Sequence, residues 1–306
     1  MLGLTLKHLR YLEAIATHGQ FSRAAEACFI SQPALSIQIK ELEARVGAPL
    51  VERNARKLHM TNLGQEIVDR AKKILLAVDE LDDVVRASKG PFSGRLRLGF
   101  IPTVAPYLLP DVVAELNHRF PGIEVQPREA ITQTLIDELH DYRLDAAIVA
   151  LPLSDQGLRE FALFAEEFVL VRNKAESSKP VPSAENMSEM QLLLLEEGHC
   201  FRDQALSFCE GLGPRAKSIM EGNSLNTLVQ MVSAGVGLTL IPEMAIPLET
   251  RSADVAISRF MNEAPFRTIG IVWRKSNPLA EQLMEVGAAI RQVGQQKMPN
   301  TASLVT

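Results

Sequence analysis

Residues 21–36 read Phe21-Ser-Arg-Ala-Ala-Glu-Ala-Cys-Phe-Ile-Ser31-Gln-Pro-Ala-Leu-Ser36. Ser22 to Cys28 is a short Ala-rich run that favours helix. Phe29 and Ile30 should cover the turn that follows. Ser31 is a good N-cap for the next helix, and Pro33 suits its first turn. That helix is expected to run to about Val46 and stop at Gly47. Two short helices joined by a turn of about three or four residues form a helix-turn-helix.

Working outward, Leu6, Leu9, Leu12, Ile15 and Ala16 give residues 5–20 one apolar helical face. On the other side, residues 49–60 have the make-up of a small basic hairpin, a wing. Arg53, Arg56 and Lys57 would sit near its tip and touch phosphates. A recognition helix turns its N-terminal side chains toward base edges in the major groove. Here those are Ser31, Gln32, Pro33, Ala34, Leu35, Ser36, Gln38 and Lys40. Gln can pair bidentately with adenine, Ser can donate or accept, and Pro or Ala can touch a thymine methyl. A three-helix domain can also bind protein. The basic hairpin and the long helix after it favour double-stranded DNA, because two-fold symmetric reading needs both parts.

From Thr61 to Lys89 there is no Pro, and the one Gly lies near the start. Ile67, Ile74 and Leu81 repeat every seven residues, as do Ala71, Val78 and Val85. Interleaved, they make the a/d seam of a coiled-coil dimerisation helix over 61–89. The same stripe could instead pack on its own domain. Gly-Pro-Phe-Ser-Gly at 90–94 reads as a hinge.

Beyond the hinge the pattern alternates. Strands are expected at 96–101, 123–127, 145–151, 168–172, 191–196, 237–241 and 268–274. Helices are expected at 107–120, 132–142, 223–234 and 279–293. This βαβαβ order implies an α/β fold with a mostly parallel sheet. The expected organisation is a winged helix-turn-helix over 1–60, then a two-lobed regulatory body of the periplasmic-binding-protein kind with a cleft between its lobes. Lobe I takes 95–164 plus 269–294, and lobe II takes 165–268. A polar tail over 295–306 should be disordered.

Composition agrees with a soluble globular chain, at 46% hydrophobic and 23% charged residues. The net charge of −5 hides a basic head, since residues 1–60 hold eight Lys/Arg against five Glu. That asymmetry suits a polyanion at one end only. No secretory leader is expected, since no basic and then apolar stretch opens these residues, and no apolar run approaches the roughly 18 residues that span a bilayer. The expected setting is cytoplasmic, without membrane contact.

The chain has three cysteines, Cys28, Cys200 and Cys209. These are too few for a disulfide scaffold, so any disulfide should be transient or regulatory. Cys28 is expected in the small core of the reading domain. Cys200 follows a strand and a Gly at the apparent start of a helix. Helix-start amides, Arg202 and His199 would favour its thiolate, and Cys209 could resolve a sulfenic acid formed there. If 200–209 were one helix, the two sulfurs would lie about 13 Å apart along its axis. A disulfide brings Cα atoms to about 5.5–6 Å, so the bond cannot close until the segment unwinds. Two cysteines on an amphipathic helix are also ordinary small core residues. A zinc site is disfavoured, because no second Cys/His cluster completes the ligands. No metal and no cofactor are expected.

Phe21-Ser-Arg-Ala-Ala-Glu-Ala, Ser31-Gln-Pro-Ala-Leu-Ser36, Ile39, Leu42-Glu43, Gly47, Leu50-Val-Glu-Arg53, Thr61 and Gly64 together resemble the N-terminal signature of the LysR-type transcriptional regulators. The hinge and the two-lobed body extend the resemblance over the whole chain. It implies a homotetramer built as a dimer of dimers, with each dimer held at the linker helix. Gly198-His-Cys-Phe-Arg-Asp-Gln-Ala, Phe208-Cys209, Ile101-Pro-Thr-Val-Ala-Pro-Tyr-Leu-Leu-Pro110, Glu129-Ala130, Thr132 and Arg267-Thr-Ile-Gly270 resemble the hydrogen-peroxide-sensing branch of that family. By that likeness Cys200 is the peroxide-reactive cysteine and Cys209 the resolving one. Thr103, Thr132 and His199 would hold peroxide, Arg267 would favour the thiolate, and Asp203 would orient the Arg side chains. Phe201 stands where the branch has Leu, and 151–168 and 211–219 match poorly.

The resemblance therefore implies a regulator of oxidative-stress genes switched by a reversible Cys200–Cys209 disulfide. Its partners would be promoter DNA, hydrogen peroxide, RNA polymerase and a cellular disulfide reductant. It would not be an enzyme, since each turn of the cysteine needs an outside reductant. Two other readings stay open: a LysR-type regulator that takes a small-molecule inducer in the cleft, and a thiol peroxidase.

Overall fold

A computed structural model describes residues 3–54, 57–88, 94–182, 187, 190–210, 219–260 and 264–298. The chain divides into two compact units, Met1–Val85 and Arg86–Thr306.

The first unit contains α1 (Leu6–His18), α2 (Phe21–Ala27), α3 (Gln32–Val46), a hairpin of β1 (Val51–Asn54) and β2 (Lys57–Met60), and most of α4 (Asn62–Ser88). The Thr5 side chain caps α1, and Ser31 Oγ caps α3 by accepting from the Ala34 amide at 3.4 Å. Leu12, Ile15, Ala24, Leu35, Ile39, Leu42, Leu50 and Val68 form its core. Glu43 fastens the hairpin to α3, with Oε1 accepting from the amides of Leu50 at 2.8 Å and Val51 at 3.1 Å. Gly64 lets α4 approach the wing, since a Cβ there would meet Leu50 O at 2.1 Å.

Three expectations are corrected in this unit. Phe29 covers nothing: its positive φ of 55° turns the ring outward, and the residue is 96% exposed. Cys28 caps the end of α2 half-buried, outside the core. Ala71 leaves the expected seam for the inward stripe Gly64, Val68, Ala71 and Leu75, and packs with Leu9 and Leu75. Ile74, Leu81 and Val85 remain exposed on the outer side of α4.

The second unit contains β3 (Gly94–Phe100), α5 (Ala105–Arg119), β4 (Ile123–Glu129), α6 (Thr132–His140), β5 (Ala146–Leu151), β6 (Leu158–Asn173), β7 (Leu192–Leu195), α7 (Cys200–Glu210), β8 (Ile219–Gly222), α8 (Leu225–Ser233), β9 (Leu238–Pro242), α9 (Ile246–Glu249), β10 (Val255–Ser258), β11 (Phe266–Arg274) and α10 (Ala280–Lys297). The strands form one sheet in the order β4-β3-β5-β11-β6-β9-β7-β8, with β10 also on β6. Its outer parts are parallel, β3 with β4 and β5, and β7 with β8 and β9. The centre is antiparallel, because β11 returns between β5 and β6. The sheet is therefore mixed where the sequence predicted a mostly parallel one.

Strand β6 is the structural link. Leu158–Glu167 pairs with β11, and Phe168–Val171 pairs with β9, so one strand serves both halves of the sheet. The sequence predicted only 168–172, because Arg159, Glu160, Glu166 and Glu167 break the apolar pattern upstream. Strands β8 and β10 were likewise not expected. At the C-terminus, α10 continues to Lys297 and Met298 is buried, so the expected polar tail does not begin at Gln295. Residues 299–306 and hinge residues 90–93 lie outside the described residues.

Candidate functional site

Strand β7 is wholly buried, and the turn after it ends at Gly198 with φ 95°. A Cβ on Gly198 would stand 3.2 Å from Ile131 Cδ1. The turn therefore lies against the residue that precedes Thr132, the first residue of α6. Cys200 opens α7 as a half-buried free thiol, and the next residue, Phe201, is buried. The Phe201 ring lies 4.7 Å from the Phe168 ring, and the Arg267 guanidinium sits 5.5 Å above it.

Arg267 and Glu166 form an ion pair with both side chains at 0% exposure. Arg267 Nε donates to Glu166 Oε1 at 2.8 Å, Nη1 to Thr103 Oγ1 at 2.7 Å and Nη2 to the Thr103 carbonyl at 3.0 Å. Beyond this cluster the Tyr107 hydroxyl donates to Glu249 Oε1 at 2.6 Å, and Asn226 Nδ2 donates to Glu249 Oε2 at 3.0 Å. Burial, then the bond to Glu249, raises the Tyr107 pKa, so its hydroxyl stays a donor.

Among the described residues, Thr132 Oγ1 and Gln204 Oε1 are buried without a hydrogen-bond partner. Thr132 begins α6 beside the Gly198 turn, and Gln204 lies one turn beyond Cys200 on α7. Burial lowers the His199 pKa, against an opposing effect of Glu196. The imidazole is thus neutral near pH 7 and able to donate or accept, rather than a cation beside the thiol.

The supporting arginines have partners of their own. Arg202 is committed elsewhere, with Nη1 on the Leu195 carbonyl at 3.0 Å and on Glu221 at 2.7 Å. It ties α7 to β7 and β8. Asp203 is not what holds the arginines, since Glu221 pairs with Arg202 and Glu166 with Arg267. Cys209 lies in the last turn of α7, at the opposite end from Cys200. Its side chain lies outside the described residues, as do Arg56 and the side chains of Arg53 and Lys57. No group of metal-ligating side chains occurs among the described residues.

On α3, Gln32, Pro33 and Lys40 are exposed and Ser36 is half-buried. Leu35 is turned into the core with Ile39 and Leu42, so it is removed from the reading surface. Ala34 is half-buried, and Gln38 is drawn to Glu41 by a bond of 3.0 Å.

The chain matches two family models, the bacterial regulatory helix-turn-helix protein of the lysR family over residues 6–65 and the LysR substrate binding domain over residues 89–295. The DNA-binding transcriptional dual regulator OxyR of Escherichia coli K12 is 38% identical over 94% of this chain and 95% of its own length. A probable hydrogen peroxide-inducible genes activator of Streptomyces viridosporus is 40% identical over 94% of each chain. The chain belongs to the LysR family, among the relatives of OxyR. A full-length cysteine-to-aspartate variant of OxyR from Pseudomonas aeruginosa superposes with a TM-score of 0.70 at 33% identity, covering 94% of this chain and 95% of that one. A peroxide-bound cysteine-to-serine variant of OxyR from Corynebacterium glutamicum gives 0.66 at 32% identity, covering 98% and 95%.

As a LysR-family transcription regulator, the chain carries three residues of interest that the sequence did not single out. Glu166 pairs with Arg267 from 101 residues away, which no local pattern reveals. Gln204 stands four residues after Cys200, a spacing that puts both on one helical face. Ile37 is 56% exposed on the recognition helix between Gln32 and Lys40. An exposed Ile there is legible as a break in the apolar pattern.

Proposed function

We infer that this chain is a peroxide-responsive transcription regulator in which Cys200 is the sensing thiol. The observation that carries the reading is a set of polar groups on α7 and on what its start meets, α6 through the Gly198 turn and Arg267 through Phe201. Thr132 presents a buried hydroxyl without a partner, Gln204 a buried carbonyl oxygen without a partner, and Thr103 a hydroxyl bonded to Arg267. A molecule with two O–H donors and two acceptor oxygens suits them.

In the reaction, the Cys200 thiolate attacks one peroxide oxygen. The S–O bond forms, the O–O bond breaks, and the second oxygen leaves as hydroxide that takes up a proton to become water. Donors aimed at that departing oxygen lower the barrier. The Cys209 thiolate then attacks the sulfenic sulfur, forming S–S and releasing the hydroxyl, which leaves as water. A cellular dithiol returns the pair to thiols. Because the two cysteines cap opposite ends of α7, the S–S bond requires this helix to unwind. Closing so short a loop restrains the unfolded chain by roughly 2.5–3 kcal/mol. Withdrawing Phe201 from its contacts costs about as much, roughly 1.5–3 kcal/mol. Which form prevails is then set by the potential of the surrounding dithiol pool against the cost of repacking α7.

The base-reading side chains are Ser31, Gln32, Pro33 and Ser36, with Lys40, Arg53, Arg56 and Lys57 on phosphates. Ile74, Val78, Leu81 and Val85 supply the dimer seam, two dimers form the tetramer, and its change of shape alters contact with RNA polymerase.

Thiol-trapping mass spectrometry before and after about one equivalent of hydrogen peroxide tests this reading. A rapid Cys200–Cys209 disulfide is expected, and none in Cys200→Ser. Free thiols at both positions after treatment would overturn it.

A further inference from the structure

Glu166 exchanges no proton or electron with the cysteines, yet its carboxylate is fully buried on the strand shared by both halves of the sheet. Burying two charges costs about as much as their attraction returns, so such a pair needs a reason beyond stability. The geometry supplies one. The Arg267 guanidinium is gripped along two edges. Nε and Nη2 both reach Glu166 Oε1, at 2.8 and 2.6 Å, while Nη1 and Nη2 reach Thr103 Oγ1 and O. Glu166 is itself held, its Oε2 accepting from the Met244 amide at 3.4 Å. A threonine hydroxyl has one proton to give. Arginine has no acceptor, so Thr103 Oγ1 can only receive on the Arg267 side. Its proton must therefore point away from Arg267.

We propose that Glu166 is a positioning residue for peroxide: it fixes Arg267 so that Thr103 donates its one proton to the peroxide oxygen that departs. This rests on the peroxide-sensor reading. Cys200 sulfur is oxidised by two electrons and the peroxide is reduced to water; Glu166 neither gives nor takes a proton. Without its charge, Arg267 is released to turn toward other acceptors, and the Thr103 hydroxyl is free to rotate.

The test compares two reactions of Cys200 in the full chain: oxidation by hydrogen peroxide and alkylation by iodoacetamide. Both need an accessible thiolate, but only peroxide needs a donor on its leaving oxygen. In Glu166→Gln, oxidation should slow by about 10–100-fold, the scale of a small misplacement of a reacting group, while alkylation is undiminished. Glu166→Asp, which keeps the charge, should recover part of the loss. Gln for Glu166 leaves a buried guanidinium unpaired, so Arg267→Gln and the double variant accompany it. On the Arg267→Gln background, Glu166→Gln should slow oxidation no further. The proposal is overturned if the two reactions slow together, if neither changes, or if the two substitutions are additive. Wild-type Cys200 reacting with peroxide no faster than free cysteine would overturn the sensor reading and this inference with it. The other failures leave the sensor reading standing.

Discussion

Tyr107 on α5 and Glu249 on α9 are 142 residues apart in the chain and meet in a buried hydrogen bond of 2.6 Å. The bond joins the helix after β3 to the segment after β9, across the two halves of the sheet. Tyr107→Phe keeps the ring packed and leaves Glu249 Oε1 without that donor. A buried group stripped of its partner costs about 1–3 kcal/mol. The single tryptophan, Trp273, is buried in β11, so its fluorescence follows the second unit. Urea unfolding read at Trp273 should show that loss. A change under about 0.5 kcal/mol, the ordinary scatter of surface substitutions, would mean that the bond does not hold the halves together.

The His199 pKa is lowered chiefly by burial. The unfolded chain then takes up a proton near the ordinary imidazole value of about 6.5, while the folded chain does not. Stability must fall as pH drops through that value and level off below the folded-state value. His199→Asn removes the titration. Between pH 7.5 and 5.5 the wild type should lose stability relative to this variant, read again at Trp273. Parallel pH profiles would show that His199 is as solvated in the folded chain as in the unfolded one.

Local chemistry was legible in the sequence, and distant partnership was not. Ser31 and Gly47 set the limits of α3 through capping, which acts within a few residues. The Cys200 helix start was readable from strand, glycine and helix in succession. Arg202 and Arg267 were read as charges near the thiol, but their partners Glu221 and Glu166 come from other strands and fix where those charges point. The long β6 was half hidden, because a buried Glu166 looks like a loop residue until its arginine is known. The α4 stripe reads either as one dimer seam or as one face packed on its own domain, whereas two faces share it: Val68, Ala71 and Leu75 turn inward, and Ile74, Leu81 and Val85 outward.

The recognition helix separates sequence reading from electrostatics. Lys40 is an exposed charge beyond the first turns, and Gln32 is exposed at the helix start. Lys40→Ala should weaken binding to selected and random duplexes alike and reduce the salt slope by about one. Gln32→Ala should weaken the selected duplex alone, by about 1–3 kcal/mol. Ile37→Ala should act only where a thymine methyl lies opposite. Fluorescence anisotropy on a duplex chosen from a random pool, over a salt series, measures all three. Equal loss on both duplexes for Gln32→Ala would remove it from base reading.

Phe201 links α7 to the rest of the second unit. Its ring packs on Phe168 and under the Arg267 guanidinium, and the residue is 2% exposed. In the reduced chain, truncation to Ala should cost about 3–5 kcal/mol. If unwinding of α7 withdraws the ring, the oxidised chain does not bear that loss. Phe201→Ala then weakens the dithiol form relative to the disulfide, and the disulfide becomes harder to reduce. At about 30 mV for each 1.4 kcal/mol, the potential should move roughly 60–100 mV more negative. Equilibration in dithiol/disulfide buffers with thiol trapping measures it. An unchanged potential would mean that the ring keeps its place in both forms, and that the helix unwinds only beyond its first turn.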